Sequence, residues 1–246
     1  MNFTNCREHP FPESVVQPHW LYDNDSSLQA HPHYRAAKAG SKESAVELIA
    51  DLALEFLASL QPLLPEDAIF VAPHAQEVTG DNAIPQVLAA ASAMVMRGQV
   101  ETDIVQINRV FHTGADPMER LSLRSQFVGE VVSGAQYVLV DDVTNMGGTV
   151  ADLANFIIAQ GGCVVAVIVL VNAGRDKRLA VAKPVLKKLL GRYKYDIQEI
   201  FSIAPQALTA NEATYLIGFR TVDEIRNRLT KARKETHLRL RSKGFK

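Results

Sequence analysis

Two adjacent aspartates, Asp141 and Asp142, directly follow an apolar run at residues 137–140, and a loop at residues 144–149 comes next. This loop contains two threonines and two adjacent glycines. Glycines let a backbone close around an anion and hydroxyl groups add donors, so the loop can hold a phosphate group. The carboxylates would repel that phosphate, but they can accept hydrogen bonds from a sugar diol or face a divalent cation through its water shell. The segment therefore predicts a site for a phosphorylated ribose.

The elements that must position this segment predict an open α/β sheet. Apolar runs at residues 137–140 and 164–171 predict strands, and helical spacing of apolar residues over 150–160 predicts the helix that joins them. Such a βαβ unit has parallel strands and a right-handed crossover. Continuous apolar strands are typical of a sheet that helices cover on both faces. Ligands of such sheets bind outside the carboxyl ends of the strands, where helix amino termini favour anions.

Other segments show weaker patterns of their own. A helix capped by Ser44 is predicted over 44–60. Strands are predicted over 68–72 and 102–110, with a helix that starts at Asn82 between them. Capping boxes predict two further helices, after Thr209 and after Thr221. Residues 1–40 hold aromatics and histidines among prolines without a sustained period, which predicts an irregular arm. We therefore expect three sections: an arm or hood at 1–40, a core at 41–205 and a basic helical extension at 206–246.

Composition restricts the class of protein. The chain has 246 residues, of which 47% are hydrophobic and 22% charged, so it can build a globular core without disulfides or metals. Cys6 is far from Cys163 in sequence, and Cys163 lies in an apolar run that predicts burial. A reducing cytoplasm is expected from this cysteine usage, and the amino terminus shows no secretory signal. Because the longest apolar run is about half of what a membrane helix needs, we expect no membrane partner.

The residues at 137–149 resemble the hallmark of the type I phosphoribosyltransferases, in which an apolar strand, an acidic pair and a short Thr/Gly loop lead into a helix. The resemblance implies a Rossmann-like open parallel sheet flanked by helices. It also implies that Asp141 and Asp142 bind the ribose hydroxyls of phosphoribosyl pyrophosphate (PRPP) and approach Mg²⁺ through water. The remaining PRPP-binding residues that it implies are Thr144, Asn145, Met146, Gly147, Gly148 and Thr149.

The same resemblance assigns the leaving group. The pyrophosphate loop would be His74, Ala75 and Gln76, and a mobile segment at 112–129 would close over the pyrophosphate to exclude water. Catalytic roles would fall to Asp142, Arg109 and Arg124, with Arg120 a further candidate, because a guanidinium fork suits phosphate oxygens. For each arginine alone, a solvated surface position stays an equal alternative.

The activity that the resemblance implies is transfer of ribose 5-phosphate from PRPP to a nucleobase or related nitrogen acceptor, with release of pyrophosphate. Asn145 stands where members that accept 6-oxopurines have an aspartate, and the pyrophosphate loop has no Arg or Lys. The acceptor base is therefore not identified. Trp20, Tyr22 and Tyr34 could stack on it, although packing onto the core is the more common use of such residues.

A net charge of −1 divides unevenly, since residues 225–246 carry nine Lys or Arg and one Glu. The positive charge of this tail suits binding to nucleic acid or another acidic partner. The alternative is that the basic residues form a solvated helix face. A PRPP-sensing regulatory or nucleic-acid-binding protein is accordingly the second hypothesis. The apolar stripe of the last helix needs a partner face, which the core or a second copy in a homodimer would supply.

Overall fold

The computed structural model describes residues 6–73, 76–77, 80–108 and 115–242. Its strands, numbered in chain order, are β1 His19–Tyr22, β2 Ile69–Val71, β3 Gln76–Glu77, β4 Gly80–Asp81, β5 Gln99–Glu101, β6 Val105–Gln106, β7 Phe127–Val128, β8 Gln136–Thr144 and β9 Cys163–Asn172. Five of them form one parallel sheet in the order β1-β9-β8-β2-β5. The other four form two short antiparallel pairs, β3 with β4 and β6 with β7.

Helices surround the sheet. They are α1 Ser26–Ala30, α2 Tyr34–Lys38, α3 Lys42–Leu52, α4 Leu54–Leu60, α5 Ile84–Met96, α6 Pro117–Ser122, α7 Gly148–Ala159, α8 Lys183–Tyr193, α9 Asp196–Phe201, α10 Ala210–Ile217 and α11 Val222–Ser242. Short 3₁₀ turns lie at Gln61–Leu63 and Pro205–Ala207. Among the described residues, no helix is both long enough and apolar enough to cross a membrane.

Successive residues of β8 point to opposite faces of the sheet and so enter two separate cores. Val138 and Val140 belong to the core that α3, α4 and α5 cover, whereas Tyr137 and Leu139 belong to the core that α7 covers. All four residues are fully buried. This burial on both faces explains the unbroken apolar run in the sequence and confirms the predicted parallel sheet with flanking helices.

The connections of the sheet reverse direction between β2 and β8. Helix α5 leads from β2 to its neighbour β5 on one side, and α7 leads from β8 to its neighbour β9 on the other. Two neighbouring strands whose connections leave in opposite directions open a crevice beyond their carboxyl ends. The acid pair of β8 lies at this crevice.

Four sequence predictions differ from the structure. The arm at 1–40 is not wholly irregular, because β1 pairs with β9 as the edge of the sheet. The strand predicted over 102–110 is wrong as a single element. The chain turns between β5 and β6 at Asp103, whose N–H donates to the Glu101 side chain.

The helix predicted over 44–60 begins earlier, with Ser41 rather than Ser44 as its cap, and is interrupted at Ala53. Cys163 is exposed rather than buried because it begins β9.

Helix α11 packs against the rest of the carboxyl-terminal region. Ile225, Leu229 and Ala232 are buried in a third core that also contains residues of α6, α8, α9 and α10. Thr209 caps α10 in the predicted capping box with Glu212. The core of this chain therefore supplies the partner face that the apolar stripe of α11 requires.

Truncation of that stripe should measure how strongly α11 is held. Leu229→Ala removes a buried side chain and should lower the free energy of unfolding by about 2–5 kcal/mol. Leu238→Ala on the same helix is the matched control, because Leu238 is 66% exposed and its loss should change stability little. Urea denaturation of both variants makes the comparison, and equal midpoints would contradict the packing described for α11.

Candidate functional site

The acid pair lies at the carboxyl end of β8, which ends at Thr144. Asp142 is buried, and its Oδ2 accepts hydrogen bonds from Lys38 Nζ at 2.8 Å and from Asn82 Nδ2 at 3.1 Å. Its Oδ1 accepts the Val143 N–H at 2.9 Å. Asp141 Oδ1 accepts the N–H of Asp142 at 2.9 Å. Both carboxylates are thereby fixed in orientation before any ligand is bound.

The surroundings of the two carboxyls separate their acidities. Burial raises the pKa of Asp142, but Lys38, Asn82 and the Val143 N–H outweigh it, and the resulting pKa is below the ordinary value. Burial, together with the charge of Asp142, raises the pKa of Asp141 well above its ordinary value. The negative charge of the pair therefore resides mainly on Asp142, while Asp141 retains a proton more readily.

The loop after β8 turns sharply into α7. Gly147 has a left-handed backbone with φ of +77° and occupies the position before the first helical residue, Gly148. Thr209 Oγ1 donates to the Met146 carbonyl oxygen at 2.6 Å and so ties the loop to the start of α10. The N–H groups of the first helical turn have no acceptor within the helix, which makes such a terminus an anion site.

One cleft of about 510 Å³ joins the acid pair to this loop. Its described lining includes all eight residues predicted to bind PRPP, namely Asp141, Asp142, Thr144, Asn145, Met146, Gly147, Gly148 and Thr149. The opposite wall comes from the amino-terminal segment, including Asn24, Gln29, Tyr34 and Lys38. The volume lies in the range of small-molecule sites.

The remaining predicted site residues do not all line the cleft. Arg124 does not line the cleft: its Nη2 and Nε bind Asp152 Oδ1 at 2.6 and 3.0 Å, and its Nη1 binds the Ser202 carbonyl oxygen at 3.1 Å. This buried position is at odds with direct contact to a substrate. Arg120 does line the cleft. His74, Ala75 and Arg109 lie outside the described residues, and Gln76 begins β3.

A group of buried charged side chains contacts the amino-terminal part of α7. Arg7 is fully buried, with Nη2 at 2.5 Å from Glu212 Oε2, Nη1 at 3.7 Å from Asp152 Oδ1 and Nη1 donating to the Gly148 carbonyl oxygen at 3.3 Å. With Arg124, it balances the two buried acids Asp152 and Glu212. This group connects the amino-terminal residues, α10 and the first turn of α7.

Sequence reasoning missed Lys38, Asn82 as a partner of Asp142, and Arg7. Lys38 follows Tyr34 in a segment predicted as an arm, and no local pattern marks a lysine as the partner of a distant aspartate. Asn82 gave a signal only as the start of a helix, and its Oδ1 does accept the Ile84 N–H at 3.2 Å. These residues become recognisable only in the folded chain.

Gly147→Ala should weaken phosphate binding. An alanine with left-handed φ costs about 1 kcal/mol of stability, and the loop around the phosphate would relax to relieve that strain. Gly134→Ala is the matched control, since Gly134 has φ of +78° and no atom within 4 Å of an added Cβ. Both variants should lose similar stability, but only Gly147→Ala should bind PRPP more weakly by calorimetry. Equal affinities would show that the loop does not hold the phosphate.

The fold and the cleft define an α/β protein with an acid pair and a glycine-containing loop at a helix amino terminus, both at the switch point of its sheet. The sequence model of the phosphoribosyl transferase domain matches residues 82–192, which contain β8, the loop and α7. Residues 82–192 therefore match the phosphoribosyl transferase domain in sequence.

Two bacterial relatives extend the match beyond that domain. Protein TraN of Escherichia coli is 36% identical over 215 residues, which are 85% of this chain and 48% of TraN. An uncharacterized protein of Haemophilus influenzae is 35% identical over 152 residues, which are 61% of this chain and 33% of that protein. The chain thus spans half or less of the length of these relatives.

A solved structure of an adenine phosphoribosyltransferase from Thermoanaerobacter pseudethanolicus aligns with a TM-score of 0.36 and 18% identity, over 52% of this chain and 72% of that one. A second adenine phosphoribosyltransferase, from Leishmania donovani, aligns with a TM-score of 0.37 and 14% identity, over 68% of this chain and 91% of that one. The parallel strand order β1-β9-β8-β2-β5 defines the fold of this chain independently of these alignments.

Proposed function

We propose that this chain transfers the ribose 5-phosphate of PRPP to a nitrogen of a nucleobase or related acceptor and releases pyrophosphate. The observation that carries the proposal is that an acid pair and a helix-terminal phosphate loop line one cleft at the switch point of the sheet. A diol acceptor and an anion site in one cleft suit the ribose and the 5-phosphate of a single ligand. The phosphoribosyltransferase domain in residues 82–192 supports it.

The roles follow from the contacts. Asp142 would accept a ribose hydroxyl, with Asp141 beside it, and the backbone N–H groups at the start of α7 would hold the 5-phosphate. In the transfer, the bond from the anomeric carbon to pyrophosphate breaks with its electron pair leaving on pyrophosphate, the acceptor nitrogen donates an electron pair to that carbon, and the proton of that nitrogen passes to water. Arg120, on the cleft wall, would neutralise charge on the leaving group.

Mg²⁺ is implied by the family as an ion that arrives with PRPP. Among the described residues there is no group of three or more His, Cys, Asp or Glu that could hold a metal ion. Both oxygens of Asp142 already accept hydrogen bonds from protein groups. The described side chains therefore do not fit a resident Mg²⁺, and none of the roles above depends on one.

Incubation with PRPP, Mg²⁺ and a panel of purine, pyrimidine and related nitrogen acceptors tests the proposal. Release of pyrophosphate that depends on one acceptor class supports it. If PRPP binds but no acceptor releases pyrophosphate, transfer is excluded for that panel and ligand sensing becomes the better proposal. If PRPP does not bind at all, the assignment of the cleft is wrong. A cytoplasmic location stays a prediction for either outcome.

The second candidate is a PRPP-responsive protein that binds nucleic acid through α11. Arg226 and Lys231 have side chains that are 52% and 70% exposed, and Arg233 is also exposed. Substitution of these three by glutamine keeps the buried stripe of α11 intact. A salt-dependent gel shift that this triple variant loses, with or without PRPP, would favour the candidate, and no binding at low salt would exclude it.

A further inference from the structure

Lys38 contacts the acid pair directly, although nothing in the sequence assigns it to the site. Its Nζ lies 2.8 Å from Asp142 Oδ2, and Asn82 donates to the same oxygen. With the Val143 N–H on Oδ1, three donors occupy the roughly four acceptor positions of the carboxylate. Counting donors from the described residues alone, one position is left for an incoming hydroxyl group.

The backbone of Lys38 is fixed by the core. The preceding residue, Ala37, is fully buried, and its carbonyl oxygen accepts the N–H of Ala83 at 3.1 Å. This bond links α2 to the residues before α5 and holds Lys38 and Asn82 on the same side of Asp142. Because the Lys38 side chain is only 24% exposed, its ammonium is placed before ligand arrives and loses little freedom on binding.

The charge of the cleft lining explains why a positive group is needed beside Asp142. The described lining contains four acids, Asp25, Asp141, Asp142 and Glu212, and two basic residues, Lys38 and Arg120. Asp141 retains a proton more readily and Glu212 pairs with Arg7, so the main negative charge beside the loop is that of Asp142, which repels phosphate esters unless a positive charge lies close to it. A Mg²⁺ ion bound directly to Asp142 would need oxygens at about 2.0–2.1 Å and would compete with the ammonium for the same carboxylate.

We propose that Lys38 supplies the positive charge at the acid pair, so that the cleft binds the ribose 5-phosphate part of its ligand without a divalent cation. The proposal rests on the assignment of the cleft to PRPP in the proposed function. It assigns Lys38 as a binding and positioning residue on the α2 side of the site. Mg²⁺ then serves only the pyrophosphate group.

Calorimetry with ribose 5-phosphate tests this, because that probe has the diol and the phosphate but no pyrophosphate to carry Mg²⁺. The wild-type chain should bind it equally in excess EDTA and in saturating Mg²⁺. Lys38→Met should bind roughly tenfold more weakly in EDTA, because it loses a charge-assisted contact at the acid pair, and Mg²⁺ should recover part of the affinity. Lys38→Arg should keep the affinity in EDTA.

Lys42→Met is the matched control, since Lys42 is exposed and lies outside the lining of the cleft. It should bind as the wild type does. Binding of the wild type only with Mg²⁺, or equal binding of Lys38→Met and wild type in EDTA, would overturn the role of Lys38 and leave the proposed function standing. Failure of both ribose 5-phosphate and PRPP to bind under either condition would overturn the proposed function as well. If Lys38→Met does not fold, the wild-type comparison still decides whether the cleft needs a divalent cation.

Discussion

Asp142→Asn should weaken PRPP binding by about 10- to 100-fold, since a hydrogen bond to a charged group contributes about 1.5–3 kcal/mol. The amide keeps the shape of the side chain but removes the charge that pairs with Lys38 at 2.8 Å. It also replaces one acceptor oxygen by an NH₂ group, which cannot accept a hydrogen bond from a ribose hydroxyl. Transfer to any acceptor should fall at least as far, because the anomeric carbon would no longer be held in place.

Isothermal titration with PRPP measures the effect, and thermal unfolding shows whether the variant is folded. Asp103→Asn is the control, because Asp103 is exposed and does not line the cleft. It should leave both affinity and stability unchanged. Full PRPP affinity in a folded Asp142→Asn variant would show that the acid pair does not bind the ribose.

Arg7→Met should lower the free energy of unfolding by about 3–5 kcal/mol, the cost of leaving a buried partner charge uncompensated. Arg7 is fully buried between Glu212 at 2.5 Å and Asp152 at 3.7 Å. Burial already raises the pKa of Asp152, and Arg7 and Arg124 only partly offset it. Loss of Arg7 leaves a single cation for two buried acids, so Asp152 or Glu212 must take up a proton or admit water.

Denaturant unfolding of three variants separates this charge effect from lost packing. Arg7→Met combined with Glu212→Gln should regain part of the stability, because the removed charges balance. Arg226→Met is the exposed control, and loss of its surface ion pair with Asp196 should cost no more than about 1 kcal/mol. Equal losses in Arg7→Met and Arg226→Met would contradict the buried network.

The segment that carries the site could be predicted because its signals are local. The apolar run of β8 has to be buried on both faces, and the following acids and glycines have few other uses at the end of such a strand. Parallel pairing of β8 with β9 followed from the short helical crossover between them. Adjacent residues along the chain therefore determined both the position and the chemistry of this half of the cleft.

The opposite wall could not be predicted because it depends on tertiary contacts. Asn82 meets Asp142 across 60 residues, and Lys38 reaches it from a helix of five residues whose pattern is too short to be read. Arg124, in contrast, was predicted to contact the ligand but does not line the cleft. Its neighbourhood in sequence suggested a loop facing the ligand, but Asp152 on α7 is buried and draws the guanidinium inside. Partner choice among charged side chains is decided by the fold.

The edge strand β1 has a consequence for the order in which the molecule assembles. It pairs with β9, and the nearby Arg7 reaches Glu212 across 205 positions of the chain. Closing so long a loop is slow, because its entropy must be lost before any of its contacts are gained. During synthesis β1 and Arg7 therefore have no partner in β9 or α10 until those elements have left the ribosome. The edge of the sheet and the buried charges around Arg7 are therefore completed late, whereas Lys38 is held by the contact of Ala37 with Ala83, which is closer in the chain.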